Sequence, residues 1–212
     1  MARSTSIISS EFPFHVSARC TNREWFKIPL PEVWEIMSEY LHFLHRGFFF
    51  RIHSFVLMSN HFHMLVRTPQ GNLSEGMNYF MRETSRQIGF ESKRINQIYG
   101  TRFHRTVIKN MHHYLHVYKY VYRNPIEAGL DDKVEKYPFS TIHGLLGRSR
   151  LIIPIEEDST LFSSVHSTLT WLNTRPSEEN YFEIQRALKR REFCLASHPS
   201  RRIKSTLENS MY

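Results

Sequence analysis

Two apolar runs separated by a turn signal constrain this chain more than any other feature. Phe55-Val56-Leu57-Met58 precedes Ser59-Asn60, and His61-Phe62-His63-Met64-Leu65-Val66 follows it. Short apolar runs on either side of such a turn read as paired, buried strands. Side chains alternate along a strand, so His61 and His63 leave one face while Phe62 points the other way, into a core. At roughly 3.3 Å of rise per residue the two imidazoles start about 6.6 Å apart, a spacing that suits convergence on one ion. The same pair also fits the polar face of a half-exposed strand, because short motifs are weak alone.

The elements around this hairpin fall into a definite order. Phe12 to Arg19 alternates Phe14, Val16 and Ala18 as a strand, with His15 on its other face as a structural histidine rather than a ligand. Pro31 suits the first turn of a helix running to about His45, with Val33, Ile36, Met37, Tyr40, Leu41 and Leu44 inward and Gly47 as its stop. Phe48 to Leu57 is the second strand, interrupted by Arg51, His53 and Ser54, and His61 to Thr68 the third. Asn72 or Ser74 caps a second helix to about Ile88. Gly89 to Gly100 is irregular and basic, Arg102 to Ile108 is a fourth strand, and a third helix starts near Met111. The order strand, helix, strand, strand, helix, strand, helix predicts an α+β, ferredoxin-like (split βαβ) fold with an antiparallel sheet.

The third helix carries four tyrosines, at 114, 118, 120 and 122. Tyr114, Tyr118 and Tyr122 recur at i, i+4, i+8 and share one stripe, as core or groove-lining aromatics would. Tyr120 is rotated from Tyr118 by about 200° at roughly 3.6 residues per turn. It joins His116 and Asn124 on a separate polar stripe. Pro125 disfavours helical geometry at Asn124 and puts that amide at a helix end. A plain reading remains open here, with Tyr120 a surface tyrosine and Asn124 a C-terminal cap.

Beyond Gly129 the chain turns polar, and Tyr137-Pro138-Phe139-Ser140-Thr141 leads into a short helix ending near Gly147. Arg148-Ser149-Arg150 reads as a boundary, giving a first domain at 1–148 and a basic, helical extension at 149–212. Helices are expected around Asp158 to Leu172 and Ser177 to Cys194. Arg186, Lys189, Arg190, Arg191, Arg201, Arg202 and Lys204 then form a charge run that reads as a solvated face or as added phosphate contacts.

Charge and cysteine content narrow the partners. A formal charge of +8 over 212 residues points to a polyanion, nucleic acid ahead of membrane. No run approaches the roughly 18 apolar residues of a membrane span. Met1 to Ser10 lacks a signal-peptide core, so a cytoplasmic, nucleoid-associated protein is expected. Cys20 and Cys194 form no Cys-x-x-Cys pair, which argues against a zinc knuckle and fits a reducing compartment.

Asn60-His61-Phe62-His63, Tyr120-x-x-x-Asn124-Pro125 and Ala128-Gly129-Leu130 together resemble the single-tyrosine HUH transposases, of the IS200-like type. The nearest branch is that of the REP-associated tyrosine transposases. Phe14-His15-Val16-Ser17-Ala18-Arg19 and Lys136 to Thr141 are similar to that family's ends, although the family commonly has tryptophan and paired serines near Phe139-Ser140. The resemblance implies Tyr120 as nucleophile, and His61, His63 and Asn124 as ligands of a divalent Mg2+ or Mn2+. It implies cleavage and rejoining of single-stranded DNA next to hairpins through a 5′-phosphotyrosine, by a monomer or homodimer. Phe103, Tyr99 and Tyr79 interleave with Arg82, Arg86, Lys93, Arg94, Arg102 and Arg105, a composition that suits base stacking beside phosphates. Two other readings compete. One is a hairpin-binding regulator without catalysis on the same fold. The other is a zinc hydrolase, which lacks a carboxylate or third histidine at a ligand spacing. The intact His61, His63, Tyr120 and Asn124 set favours the enzyme.

Overall fold

The structure, a computed structural model, describes residues 7–195 and 205–208. Four strands form one sheet: β1 (Phe14–Arg19), β2 (Arg51–Leu57), β3 (His61–Arg67) and β4 (His104–Val107). They lie in the order β2-β3-β1-β4, every neighbouring pair antiparallel. With α1 (Leu30–Phe48) and α2 (Leu73–Glu91) between the strands this is the expected split βαβ arrangement. One face of the sheet packs Phe14, Val16, Leu57, Phe62, Met64 and Val66 against α1 and α2. The opposite face, with Val56 and Leu65, packs against α3 (Met111–Glu127).

Local geometry departs from the sequence reading in three places. Gly47 does not stop α1; the helix runs on to Phe48, and Phe49 caps it in the left-handed region at φ 58°. That strained cap costs about 1–2 kcal/mol, and it lets Phe50 turn back into the core, fully buried against Gly76 of α2. In β2, His53 occupies a bulge, so Ile52 and Phe55 face the same way although three residues apart. The polar interruption in that strand is this bulge. Finally, Pro125 does not end α3 at Asn124. The amide Nδ2 of Asn124 donates to the Tyr120 carbonyl at 2.7 Å, in the turn where proline removes an N–H. The helix stops at Gly129, whose φ of 68° and the Leu130 N–H to Pro125 carbonyl bond of 2.9 Å close a Schellman motif.

After α3 comes the short helix α4 (Thr141–Leu145), and the residues from 149 onward build on α3 with α5 (Ser159–Ser163), α6 (Val165–Asn173) and α7 (Glu178–Ala187). Leu161, Leu172, Ile184, Leu188 and Phe193 share a core with Val117, Tyr118 and Val121 of α3. Polar ties reinforce this. The Tyr118 hydroxyl donates to Asp158 at 2.6 Å, and the buried Arg123 donates to the Leu172 and Asn173 carbonyls at 2.9 and 3.0 Å. Both sheet edges are covered as well. Ile155 and Ser140 bridge to β2, and the Val107 and Phe193 N–H groups of β4 and its flank bond Arg191 and Val107 carbonyls at 2.9 Å. Covering unpaired strand edges removes sites for edge-to-edge association. Arg201, Arg202 and Lys204 lie outside the described residues. Among the described residues both cysteines are free, and no helix is long and apolar enough to cross a membrane.

Candidate functional site

Strand alternation delivers both histidines to the α3 face while Phe62 is fully buried on the other. The His61 and His63 rings meet edge-on, their centroids 5.0 Å apart. The central segment of α3 crosses above them. The Tyr120 ring stands perpendicular to His63 at 5.6 Å, and Asn124 follows one turn later. Tyr114, Tyr118 and Tyr122 take the other stripe, their rings packed tilted and edge-to-face with centroids 6.0 and 4.9 Å apart and turned into the core. The chain therefore brings His61, His63 and Tyr120 together, with Asn124 tied to Tyr120 one turn along α3.

Burial decides the charge state of the site. Desolvation, with Arg19 adding repulsion, lowers the His61 pKa to about 3. His63 is pushed well below 6.5 by burial first, then by His15, His61 and Arg19. Both imidazoles are thus neutral at neutral pH, the form that donates a lone pair to a cation. Tyr120 moves the other way: burial raises its pKa, and hydrogen bonds from Gln185, Tyr181 and Asn124 and the charge of Arg19 draw it back.

Two imidazoles and one amide oxygen are donors that could hold a divalent ion, without selecting which one. Two neutral imidazoles face one space, and Asn124, with Nδ2 committed to the Tyr120 carbonyl, has Oδ1 left for a cation. Among the described residues no set of three or more His, Cys, Asp or Glu side chains converges as a metal site.

Four residues enter the site that sequence reasoning did not place there, Gln185 of α7, bonded to Tyr120, being one. His15 is buried, with its Nε2 2.9 Å from His63 Nδ1. Its position on the opposite face from Phe14 was legible, but its meeting with His63 depends on β1 lying beside β3. Arg19 pairs with His61 across the same two strands and is exposed. Tyr181 of α7 packs on Tyr120 with ring centroids 5.5 Å apart, leaving the nucleophile candidate 7% exposed. Nothing in the local sequence of α7 signals that contact.

The basic residues separate into two places. Arg82, Arg86, Lys93, Arg94 and Arg102 line one groove between α2 and the loop that follows it. Within it Arg82 and Arg86 share Glu83, and Arg94 is largely buried against Glu24 at 3.2 Å. Arg105 is elsewhere, bonded to Ser74 at 2.8 Å and lying over the Phe103 ring. Tyr99 is a core residue whose hydroxyl meets Thr84 at 2.9 Å, so it offers no stacking face. Tyr79 is half-buried with Arg82 above its ring at 5.4 Å.

Known proteins share both the sequence and the fold of this chain. Residues 9–124, which include all four site residues, match the family described as "Transposase IS200 like". A REP-associated tyrosine transposase of Escherichia coli (strain K12) is 30% identical over 115 residues, 54% of this chain and 68% of that protein. Among solved structures, one described as "Structure of the REP associates tyrosine transposase bound to a REP hairpin" superposes with a TM-score of 0.57 at 22% identity, over 74% of this chain and 93% of the other.

Proposed function

This chain belongs to the IS200-like transposase family, and from that premise we propose that it cuts and rejoins single-stranded DNA beside hairpins, with Tyr120 as nucleophile. The observation that carries the reading is the Tyr120 ring held perpendicular over His63 at 5.6 Å, next to His61. The phenol oxygen attacks the phosphorus of the scissile step, and the bond from phosphorus to the 3′-oxygen breaks. The phenol loses a proton and the departing 3′-oxygen gains one, so the products are a 5′-phosphotyrosine and a free 3′-hydroxyl. The new ester keeps the bond energy, and attack by a 3′-hydroxyl reverses the step without a further energy source. His61, His63 and Asn124 would hold a Mg2+ or Mn2+ ion, which supplies Lewis-acid stabilisation of the phosphate charge. Arg19 favours the phenolate and adds a positive charge beside the attacked phosphate. The groove with Arg82, Arg86, Lys93 and Arg102 offers phosphate contacts for a hairpin stem. A REP hairpin is the DNA bound by the related transposase of known structure.

The test is incubation with labelled hairpin oligonucleotides and Mg2+ or Mn2+, followed by gel analysis and peptide mapping. A covalent adduct on Tyr120 is expected. His61→Ala should abolish cleavage and leave hairpin binding largely intact, because stem contacts do not depend on the ion. Cleavage by that variant at the wild-type rate in chelator would sink the metal assignment. A second reading, a hairpin-binding regulator, draws on the cover that Tyr181 places over Tyr120. Tight hairpin binding with no adduct under any divalent ion would select it.

A further inference from the structure

Both candidate ligands are held from behind, by different groups. His61 Nδ1 lies 2.8 Å from Asn60 Oδ1, while Asn60 Nδ2 donates to the Arg23 carbonyl at 2.7 Å. With its nitrogen committed, the Asn60 amide presents only an acceptor to His61. The proton of His61 therefore sits on Nδ1, and its Nε2 lone pair is bare. His63 has no such amide. Its Nδ1 lies 2.9 Å from Nε2 of His15, in rings stacked at 5.1 Å and 24°. β1 runs beside β3 with His15 opposite Leu65 and Ser17 opposite His63, so His15 reaches His63 as a diagonal cross-strand neighbour. We propose that His15 is a positioning residue, whose Nε2 accepts the Nδ1–H of His63 and so turns a bare Nε2 of His63 toward the ion and the scissile phosphate.

The inference rests on the metal-assisted reading above. A neutral imidazole has one N–H, so the 2.9 Å contact needs one ring to donate and the other to accept. If His15 donated, the proton of His63 would sit on Nε2 and no lone pair would face the site. In the accepting arrangement the proton of His15 sits on Nδ1, a buried atom without a hydrogen-bond partner among the described residues. Leaving that N–H unpaired is unfavourable, and the return is a fixed tautomer at His63. Tyr120 closes the arrangement with its ring 6.2 Å from His15 and 5.6 Å from His63, edge-on to both. Outer-shell partners of this kind fix the tautomer and orientation of metal-binding histidines.

Two measurements test this. Nitrogen-15 spectra of metal-free protein at neutral pH should show His63 protonated on Nδ1, and protonation on Nε2 would overturn the proposal. Mn2+ affinity, read from the electron paramagnetic resonance of the free ion, should fall about 10- to 100-fold in His15→Leu. His15→Gln, whose amide oxygen can take the place of Nε2, should recover most of that loss. Unchanged affinity in His15→Leu overturns the proposal. Should His15→Leu fail to fold, the wild-type spectrum and His15→Gln still decide, since a His63 proton moved to Nε2 in a tightly binding His15→Gln is incompatible with it. His61→Ala separates the two levels. If it also leaves Mn2+ affinity unchanged, the metal reading itself fails, while the spectrum still reports on His15.

Discussion

Tyr118, Tyr120 and Tyr122 are near neighbours on one helix, and their hydroxyls meet different partners. Tyr118 donates to Asp158 at 2.6 Å and Tyr122 meets Thr141 at 3.0 Å, both deep in the core. Tyr120 alone adjoins the histidines. Tyr120→Phe should therefore abolish the covalent adduct at a stability cost of about 1 kcal/mol, typical of one neutral hydrogen bond. Tyr118→Phe should behave in the opposite sense: about 1.5–3 kcal/mol less stable, from loss of a bond to a carboxylate, with the adduct retained. Chemical denaturation and adduct gels on the two variants check both arms, and an adduct surviving Tyr120→Phe would put the helix phase in error. A second expectation concerns pH. Burial lowers the pKa of His53 and of His116 to about 4. The unfolded chain takes up protons at these residues below about pH 6.5, the ordinary histidine value, while the native state does not. Stability is full above that pH and should fall as the pH drops; the share from His53 and His116 levels as they protonate in the native state near pH 4, while His61, lowered to about 3, carries the decline further. Denaturant midpoints that stay flat between pH 7 and 5 would contradict this.

Individual elements show why some features could be read from the sequence and others could not. Gly76 in α2 faces the Phe50 ring so closely that a Cβ would collide with it. Gly76→Ala, ordinarily favourable within a helix, should cost about 1–3 kcal/mol through overpacking, measurable as a lowered denaturation midpoint. The hairpin, the alternation of His61 and His63 and the separate stripes of α3 are short-range periodicities, and all were legible. The bulge at His53, the left-handed cap at Phe49 and the passage of α3 through Pro125 were not, because each is set by packing against residues far along the chain. The meeting of His15 with His63 needed the strand order. The position of α7 is the extreme case: Ile184 and Ala187 anchor it in the core, and Tyr181 and Gln185 then fall on Tyr120. For DNA to reach the phenol that cover has to shift. Tyr181→Ala should speed adduct formation in single-turnover assays, and an unchanged rate would mean that α7 leaves the site freely.

At the scale of the whole molecule, the charge of +8 and the core lead to different demands on the chain after 149. As a basic extension, it would be dispensable for folding and would add to DNA affinity. Its packing says otherwise. Leu161, Leu172, Ile184, Leu188 and Phe193 are almost completely buried against the α3 side of the core. Full burial of such side chains contributes about 1.5–3 kcal/mol each, so the five together rival the roughly 5–15 kcal/mol that stabilises a typical domain. Deletion would also strand polar groups, leaving Arg123 without the Leu172 and Asn173 carbonyls and Tyr118 without Asp158. The β4 edge would lose its pairing with Arg191 and Phe193. A protein ending at residue 148 should therefore lack a cooperative thermal transition and aggregate, where the full chain melts sharply. The informative contrast is Arg186, Lys189 and Arg190 changed together to Gln, at exposed positions. That variant should keep the wild-type melting temperature, and its hairpin affinity should depend less steeply on salt if those charges contact phosphate. A soluble, cooperatively melting 1–148 fragment would show instead that α3 finds its place without the helices that cover it.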